Sequence, residues 1–277
     1  MQYKFGLIGY PIQHSLSPWI HQQFLERTNL QGEYAIIEIN PDSNFADEMK
    51  MLREKQLNGF NITVPYKEKI LDYLDEMDEQ ASQIGAVNTV LCKNDKWIGY
   101  NTDGIGYIRS LLQQFPQLET NKEANILLLG AGGAAKGIYY ALMKHGFKFV
   151  TIANRTLDKV EKIIDNNPNS KALSLQEAEN SLMNFDVIIQ TTSVGMKPET
   201  DRMIIELNNL REGTIVSDIV YQPLLTKFLR TAKSMNAHIH FGHTMLLYQA
   251  QYAFEIWTGV RPEMNELDEK LQKILEG

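Results

Sequence analysis

A single cysteine, Cys92, is the only thiol in the 277-residue chain. An intramolecular disulfide is therefore excluded, and a reducing compartment is the natural setting. Cys92 follows the strand-like run VNTVL, which favours a buried structural thiol over a nucleophile. Basic residues are also short: 27 Lys and Arg face 34 Asp and Glu, a formal charge of −7. That balance argues against nucleic acid or an anionic membrane as the main partner, because both attract basic surfaces. No uninterrupted apolar run approaches the ~20 residues of a membrane span. The start, MQYKFGLIGYP, lacks the apolar core and basic lead of a secretion signal. Repeats, charge blocks and low-complexity tracts are missing too. A soluble, cytoplasmic protein is expected. The length suits two domains, each with a core of its own.

What is present is an alternation of strands and helices. Residues 4–9 (KFGLIG) read as a first strand, followed by a proline-bracketed loop and a helix from Pro18 with Ser17 as N-cap. A strand over 34–39, a helix over 44–55 and a strand over 59–64 come next. A helical stretch carrying Ile70, Leu71 and Leu74 precedes two strands, 86–91 and 97–100, joined by KNDK. The second half repeats the pattern with strands at 126–129, 149–153, 186–190 and 214–217 and helices at 134–145, 157–164 and 224–233. Such alternation predicts two open-sheet α/β domains. The expected boundaries are 1–103 and 104–243, with helices over 244–257 and 263–275 returning to the first domain. Met264, Leu267, Leu271 and Ile274 recur at helical spacing there and mark a packing face.

Residues 125–137, NILLLGAGGAAKG, run from an apolar strand through a glycine turn into a helix. Gly130, Gly132 and Ala135 match the G-x-G-x-x-G/A pattern that seats a dinucleotide pyrophosphate on a helix N-terminus. The same pattern alone also serves plain packing. The next strand then bears on which dinucleotide. An NAD site usually closes that strand with Asp or Glu for the ribose hydroxyls. Here it ends in Asn154, Arg155 and Thr156, with Lys159 one turn on. These donors suit a 2′-phosphate, and the Arg fork also offers a face to adenine. NADP is the expected cofactor.

In the first half, polar residues collect at predicted strand ends, where open α/β sheets bind ligands. They are Ser15, Ser17, Asn61, Thr63, Lys67, Asn88, Thr89, Asn101, Thr102 and Asp103. Hydroxyls and amides with one cation and one carboxylate suit a small polyhydroxylated acid. Taken singly, each is an ordinary cap or turn residue.

Together these stretches resemble the NADP-dependent shikimate 5-dehydrogenase family. The motifs HSLSP, NITVPYK, GAVNT, GYNTDG, GAGGAAKG, ANRT, TTSVGM, SDIVYQP and GHTMLLYQ run in family order along nearly the whole chain. The resemblance implies an N-terminal substrate domain and a C-terminal Rossmann domain for NADP. It implies that Ser15 and Ser17 hold the carboxylate of shikimate or 3-dehydroshikimate. Asn61, Thr63, Lys67, Asn88, Asp103 and Gln249 would hold its hydroxyls, with Tyr221 closing over it. On the cofactor side it implies Gly130, Ala131, Gly132, Gly133 and Ala134 at the pyrophosphate. Asn154, Arg155, Thr156 and Lys159 would take the adenosine phosphate, with Ile219 and Gly242 beside the nicotinamide. Thr191 and the acidic Glu79 are carried over as further cofactor-side positions. Lys67 and Asp103 would form the catalytic pair of a reversible hydride transfer, Lys67 giving a proton to the carbonyl as it is reduced.

Other readings stay open at this point. His238, His240 and His243 invite a metal, but no Cys or carboxylate cluster accompanies them and no metal is expected. A quinate/shikimate dehydrogenase using NAD, and a non-catalytic sensor of NADP or a cyclic acid, are the alternatives. Monomer and homodimer are equally compatible with the sequence.

Overall fold

The computed structural model describes residues 2–276. The chain divides into two compact units, Met1–Gly106 with Gln249–Met264, and Tyr107–Tyr248 with Asn265–Gly277. Both are built of α/β layers.

In chain order the first unit opens with β1 (Tyr3–Gly9), α1 (Ser17–Thr28), β2 (Gly32–Glu38), α2 (Phe45–Glu54) and β3 (Gly59–Ile62). It continues with β4 (Glu76–Met77), α3 (Glu79–Ile84), β5 (Thr89–Lys93) and β6 (Lys96–Tyr100), and α4 (Asp103–Gln114) starts in it. Its sheet runs β2-β1-β3-β5-β6-β4. β1 pairs in parallel with β2 and β3, whereas β5 is antiparallel to both β3 and β6. One face buries Ile8, Phe60, Ile62, Tyr66 and Val90. Elsewhere in the unit an aromatic layer forms, in which Phe5 stacks on Trp257 at 4.7 Å. Gly59 is required for that packing, because a Cβ there would stand 2.3 Å from the Trp257 ring.

The second unit contains β7 (Asn125–Leu129), α5 (Gly133–Lys144), β8 (Phe149–Ala153), α6 (Leu157–Ile164), β9 (Ser170–Leu173), α7 (Leu175–Asn180) and β10 (Val187–Gln190). β11 (Ile215–Asp218), α8 (Lys227–Ser234), β12 (His238–His240), α9 (Gly242–Thr258) and α10 (Leu267–Glu276) follow, with α9 crossing into the first unit after Tyr248. All its strand pairs are parallel, in the order β12-β11-β10-β7-β8-β9. Read from β9 this is the 3-2-1-4-5-6 order of a doubly wound dinucleotide fold, whose chain reverses between its first and fourth strands. Ile126 and Leu128 enter one core and Leu127 and Leu129 the other, so both faces of β7 are buried. That explains the unbroken apolar run ILLL, which shows no alternation.

Several local expectations need correction. Ser17 is the first residue of α1 and Leu16 its N-cap; the Ser15 hydroxyl accepts the Ser17 N–H at 3.2 Å. The stretch around Ile70 forms only a single 3-10 turn, Lys69–Tyr73. The helix of this region is α3, begun by the Asp78 side chain, which accepts from Ala81 N, and ended by Gly85 at φ 69°. β9 and α7 were not anticipated. At the C-terminus, Gln249–Met264 joins the first unit but Asn265–Gly277 groups with the second. In the second unit Asp268 Oδ1 of α10 meets His243 Nε2 at 2.6 Å, and Leu267 and Leu271 are fully buried.

Candidate active site

In the first unit the loop after β3 and the strand pair β5–β6 converge through backbone bonds. Ile62 N donates to Asn88 O at 2.8 Å, and Val87 N donates to Lys67 O at 2.9 Å. These two bonds bring Lys67 beside Asn88, although the residues lie on separate segments. Lys67 Nζ then meets Asp103 Oδ2 at 2.6 Å, while Asn88 Nδ2 donates to Asp103 Oδ1 at 2.8 Å. Asp103, as the first residue of α4, also has the helix N-terminus to favour its charge.

The Asn88 amide has no freedom to flip. Its Oδ1 accepts from Thr102 N at 2.8 Å, so its Nδ2 must face Asp103 and the Thr102 hydroxyl. Thr102 Oγ1 in turn donates to Gln249 Oε1 at 3.3 Å. Gln249 reaches this position because Gly106 of α4 lies against it; a Cβ on Gly106 would stand 2.4 Å from Gln249 N. Asn61 donates from Nδ2 to Asn88 O and to Thr89 Oγ1, at 3.2 and 3.0 Å. Ser15 and Ser17 form their own pair, with hydroxyls 3.2 Å apart. Thr63 is partly buried, its N–H bonded to Ile8 O at 2.9 Å. Thus Asn61, Lys67, Asn88, Asp103 and Gln249 form one hydrogen-bonded network, and Ser15, Ser17 and Thr63 belong to the same unit. Thr89 and Thr102 complete the network as buried linkers.

The second unit carries the remaining positions except Glu79, which is exposed in the first turn of α3. Gly130 ends β7 at φ +115°, and a Cβ on it would stand 2.6 Å from Thr192 and 2.7 Å from Thr191. That position needs glycine on both counts. Gly132 and Gly133 are the opposite case: a Cβ on either meets nothing within 4 Å. Gly132 is the N-cap of α5 and offers no side chain to the first N–H groups of that helix. Together with Ala131 and Ala134 this is an open, side-chain-free helix start of the kind that accepts phosphate. Thr191 is held at the end of β10, its hydroxyl donating to Leu129 O at 2.8 Å. After β8, Asn154 is partly buried, and Arg155, Thr156 and Lys159 are exposed. The donor set therefore fits a phosphorylated dinucleotide.

Ile219 and Gly242 come together: a Cβ on Gly242 would stand 2.4 Å from Ile219 O. Tyr221 lies in the loop after β11, its phenol pKa raised by burial. The same loop is pinned by Asp218, fully buried at the end of β11. This carboxyl accepts from Thr226 Oγ1 at 2.7 Å, Val220 N at 2.9 Å and Gln190 Nε2 at 3.1 Å. Burial pushes its pKa up to about 7, against the lowering effect of those three donors. Asp218 lies within the SDIVYQP motif without an expected role; its signal in the sequence is a carboxylate inside the apolar run TIVSDIV.

Cys92 is partly buried in the first unit, and burial pushes its thiol up to about 12. A thiolate there would form only at very high pH. His240 is fully buried, its Nδ1 2.8 Å from Ser217 Oγ and its Nε2 3.2 Å from Ser110 Oγ. His238 is exposed, and His243 Nε2 lies 2.6 Å from Asp268 Oδ1. Among the described residues no group of three or more His, Cys, Asp or Glu is placed to hold a metal ion, and no helix is long and apolar enough to cross a membrane.

Known proteins match this chain along its whole length. A model of the shikimate dehydrogenase substrate binding domain matches residues 7–90. One of shikimate / quinate 5-dehydrogenase matches 111–221, and one of the shikimate 5′-dehydrogenase C-terminal domain matches 242–263. Shikimate dehydrogenase (NADP(+)) of Oceanobacillus iheyensis is 53% identical over 277 residues, covering 100% of both chains. The crystal structure of shikimate 5-dehydrogenase from Thermus thermophilus, in complex with NADP(H) and shikimate, has a TM-score of 0.86 at 31% identity. That match covers 98% of this chain and 99% of the other. Quinate dehydrogenase from Corynebacterium glutamicum in complex with NAD has a TM-score of 0.87 at 26% identity, covering 98% of each chain. With domain models matched in order and a full-length relative above half identity, the chain belongs to the shikimate dehydrogenase family.

Proposed function

We propose that this chain catalyses the reversible NADPH-dependent reduction of 3-dehydroshikimate to shikimate, a step in the synthesis of chorismate and the aromatic amino acids. The observation that carries the reading is the Lys67–Asp103 pair at 2.6 Å, braced by Asn88, in a chain that also has an open glycine helix start. In this reading the first unit holds the substrate and the second the cofactor. The enzyme works in the cytoplasm, as a monomer or homodimer.

The cofactor supplies the hydride in the reducing direction. The remaining work falls to side chains. As the carbonyl carbon gains the hydride, its oxygen takes the π electron pair and needs a proton. The Lys67 ammonium gives that proton and recovers it from solvent. Asp103 accepts from Lys67 and from Asn88, so it fixes where the donor stands. Ser15 and Ser17 bind the substrate carboxylate with their paired hydroxyls. Asn61, Thr63, Asn88 and Gln249 hold ring hydroxyls, and Tyr221 covers the ring. Gly130 to Ala134 and Thr191 cradle the pyrophosphate, while Asn154, Arg155, Thr156 and Lys159 take the 2′-phosphate. Ile219 and Gly242 flank the nicotinamide, and Glu79 serves as an acidic cofactor-side position.

The end of β8 favours NADP over NAD, since no Asp or Glu stands there to receive ribose hydroxyls. An absorbance assay at 340 nm with shikimate and NADP tests the reading directly. Reduction of NADP with shikimate is expected. Turnover of quinate with NAD in preference would replace this reading with a quinate dehydrogenase, and inactivity on both acids would leave a binding protein.

A further inference from the structure

Tyr34 in β2 stands beside the proposed substrate residues without having been assigned to them. Its hydroxyl donates to Asn61 Oδ1 at 2.8 Å and also interacts with Ser17. The phenol thus connects the serine pair to Asn61. The rest of the Asn61 amide is already engaged, because Nδ2 uses its two hydrogens on Asn88 O and Thr89 Oγ1. A side-chain amide has two donor hydrogens and two acceptor lone pairs. With both donor hydrogens spent and Tyr34 bound at Oδ1, whatever Asn61 has left for a ligand is acceptor capacity on that oxygen, which the His21 ring also approaches.

The phenol itself is held rigidly. The His21 ring stacks on it with centroids 4.4 Å apart and planes 5° from parallel. His21 is fully buried among Phe24, Phe254 and Trp257, and its ring also interacts with the Asn61 side chain. Burial lowers its pKa to about 3, against the raising effect of the Asn61 side chain, so the ring that backs Tyr34 is uncharged. Burial also raises the pKa of Tyr34, which keeps its hydroxyl a donor at neutral pH. A flat ring clamped on one face and bonded at its tip leaves the amide a single orientation.

We propose that Tyr34 is a positioning residue of the substrate site, fixing Asn61 so that it meets a substrate hydroxyl as an acceptor only. The inference rests on the reading of Ser17 and Asn61 as substrate residues. It goes beyond that reading by assigning a direction to one of the hydrogen bonds: the ligand hydroxyl donates and Asn61 receives. An isosteric group that can only accept, such as fluorine in place of that hydroxyl, is then rejected.

Tyr34→Phe removes the hydroxyl and keeps the ring on His21. The KM for shikimate is expected to rise about fivefold, the scale of one net hydrogen bond. The turnover number and the KM for NADP should stay near the unaltered values, and the melting temperature should fall only by the loss of one buried hydrogen bond. On an Asn61→Ala background, or Asn61→Ser if the alanine variant does not fold, Tyr34→Phe should add nothing further. An unchanged shikimate KM in Tyr34→Phe overturns the proposal. So does an effect that persists in full without Asn61, or a parallel rise in both KM values with a lower melting temperature, which marks packing alone. Failure of the unaltered enzyme to oxidise shikimate would overturn the substrate reading first, and is distinguished from these outcomes by the wild-type assay.

Discussion

Lys67 and Asp103 are joined at 2.6 Å, and the carboxylate oxygen that Lys67 does not use is held by Asn88 at 2.8 Å. Asp103 therefore has a partner on each oxygen and further acceptor capacity for a substrate hydroxyl, and Lys67 has two of its three hydrogens left for substrate. If Lys67 delivers the proton, Lys67→Ala removes an interaction needed mainly as charge develops on the substrate oxygen. The kcat should fall by about 10²–10⁴, the usual size of a general acid's contribution. The KM for shikimate should change far less, since the serine pair and Asn61 remain. Steady-state kinetics at 340 nm decide, and near-normal turnover would remove Lys67 from the mechanism.

Arg155 is exposed after β8, at the point where an NAD enzyme would carry an acid. A guanidinium there contributes to a 2′-phosphate through charge-assisted bonds, which NAD lacks. Arg155→Ala should raise the KM for NADP by roughly tenfold or more, the worth of a bond to a charged group. The KM for NAD should scarcely move. Equal effects on the two cofactors would sink the phosphate assignment.

A pH dependence follows from Asp218. Its folded pKa of about 7 lies above the ordinary 3.8, so the folded state holds a proton that the unfolded chain has lost across that interval. Wherever the folded state binds more protons, stability falls as pH rises. Asp218 therefore costs least at acid pH, and its cost grows until about pH 7, where the buried carboxyl ionises. Asp218→Asn cannot ionise. The melting temperature of this variant minus that of the unaltered protein should increase from pH 5 to pH 8. A difference that is flat with pH would show that Asp218 does not titrate in this range.

The alternation of strands and helices was legible because each is a local pattern with its own period, and the two α/β units follow from it. The glycine turn was legible for the same reason: Gly130 at φ +115° and the open positions Gly132 and Gly133 are demands of the backbone itself. Short elements with weak periodicity were lost. α7 is six residues long, yet its capping box, Ser174 with Glu177, stands in the sequence as S-L-Q-E. α10 shows the limit of periodicity most plainly. Of the face read from Met264, Leu267, Leu271 and Ile274, Leu267 and Leu271 are fully buried and Ile274 is exposed, and nothing in the spacing says which unit receives it. The pairing of Asp268 with His243 is long-range, and such contacts leave no local trace. The polar network behaves similarly. Lys67 and Asp103 are 36 residues apart, and Tyr34 and Asn61 are 27 apart. Lys67 and Asp103 stand out as the one cation and one carboxylate at the strand ends and are joined as a pair only by the family motifs, whereas Tyr34, which belongs to no such motif, reads as an ordinary strand tyrosine.

Gly242 tests the loop that carries Ile219. It opens α9, where glycine is a poor helix residue, and replacement by alanine on propensity alone would stabilise by about 0.8–1.0 kcal/mol. Against this, a Cβ at Gly242 would stand 2.4 Å from Ile219 O and 2.8 Å from Asp218 O, both backbone atoms. The neighbouring backbone cannot yield freely, because Val220 N is bonded to the buried Asp218 carboxyl at 2.9 Å. Overpacking against fixed backbone costs about 1–3 kcal/mol, so the clash outweighs the propensity gain. Gly242→Ala should therefore lower the melting temperature, although an exposed helix start would predict the reverse. It should also raise the KM for NADP, through displacement of Ile219, and leave the KM for shikimate near its original value. A variant with raised stability and an unchanged NADP KM would show that the Ile219 loop accommodates the methyl group and does not depend on the close approach.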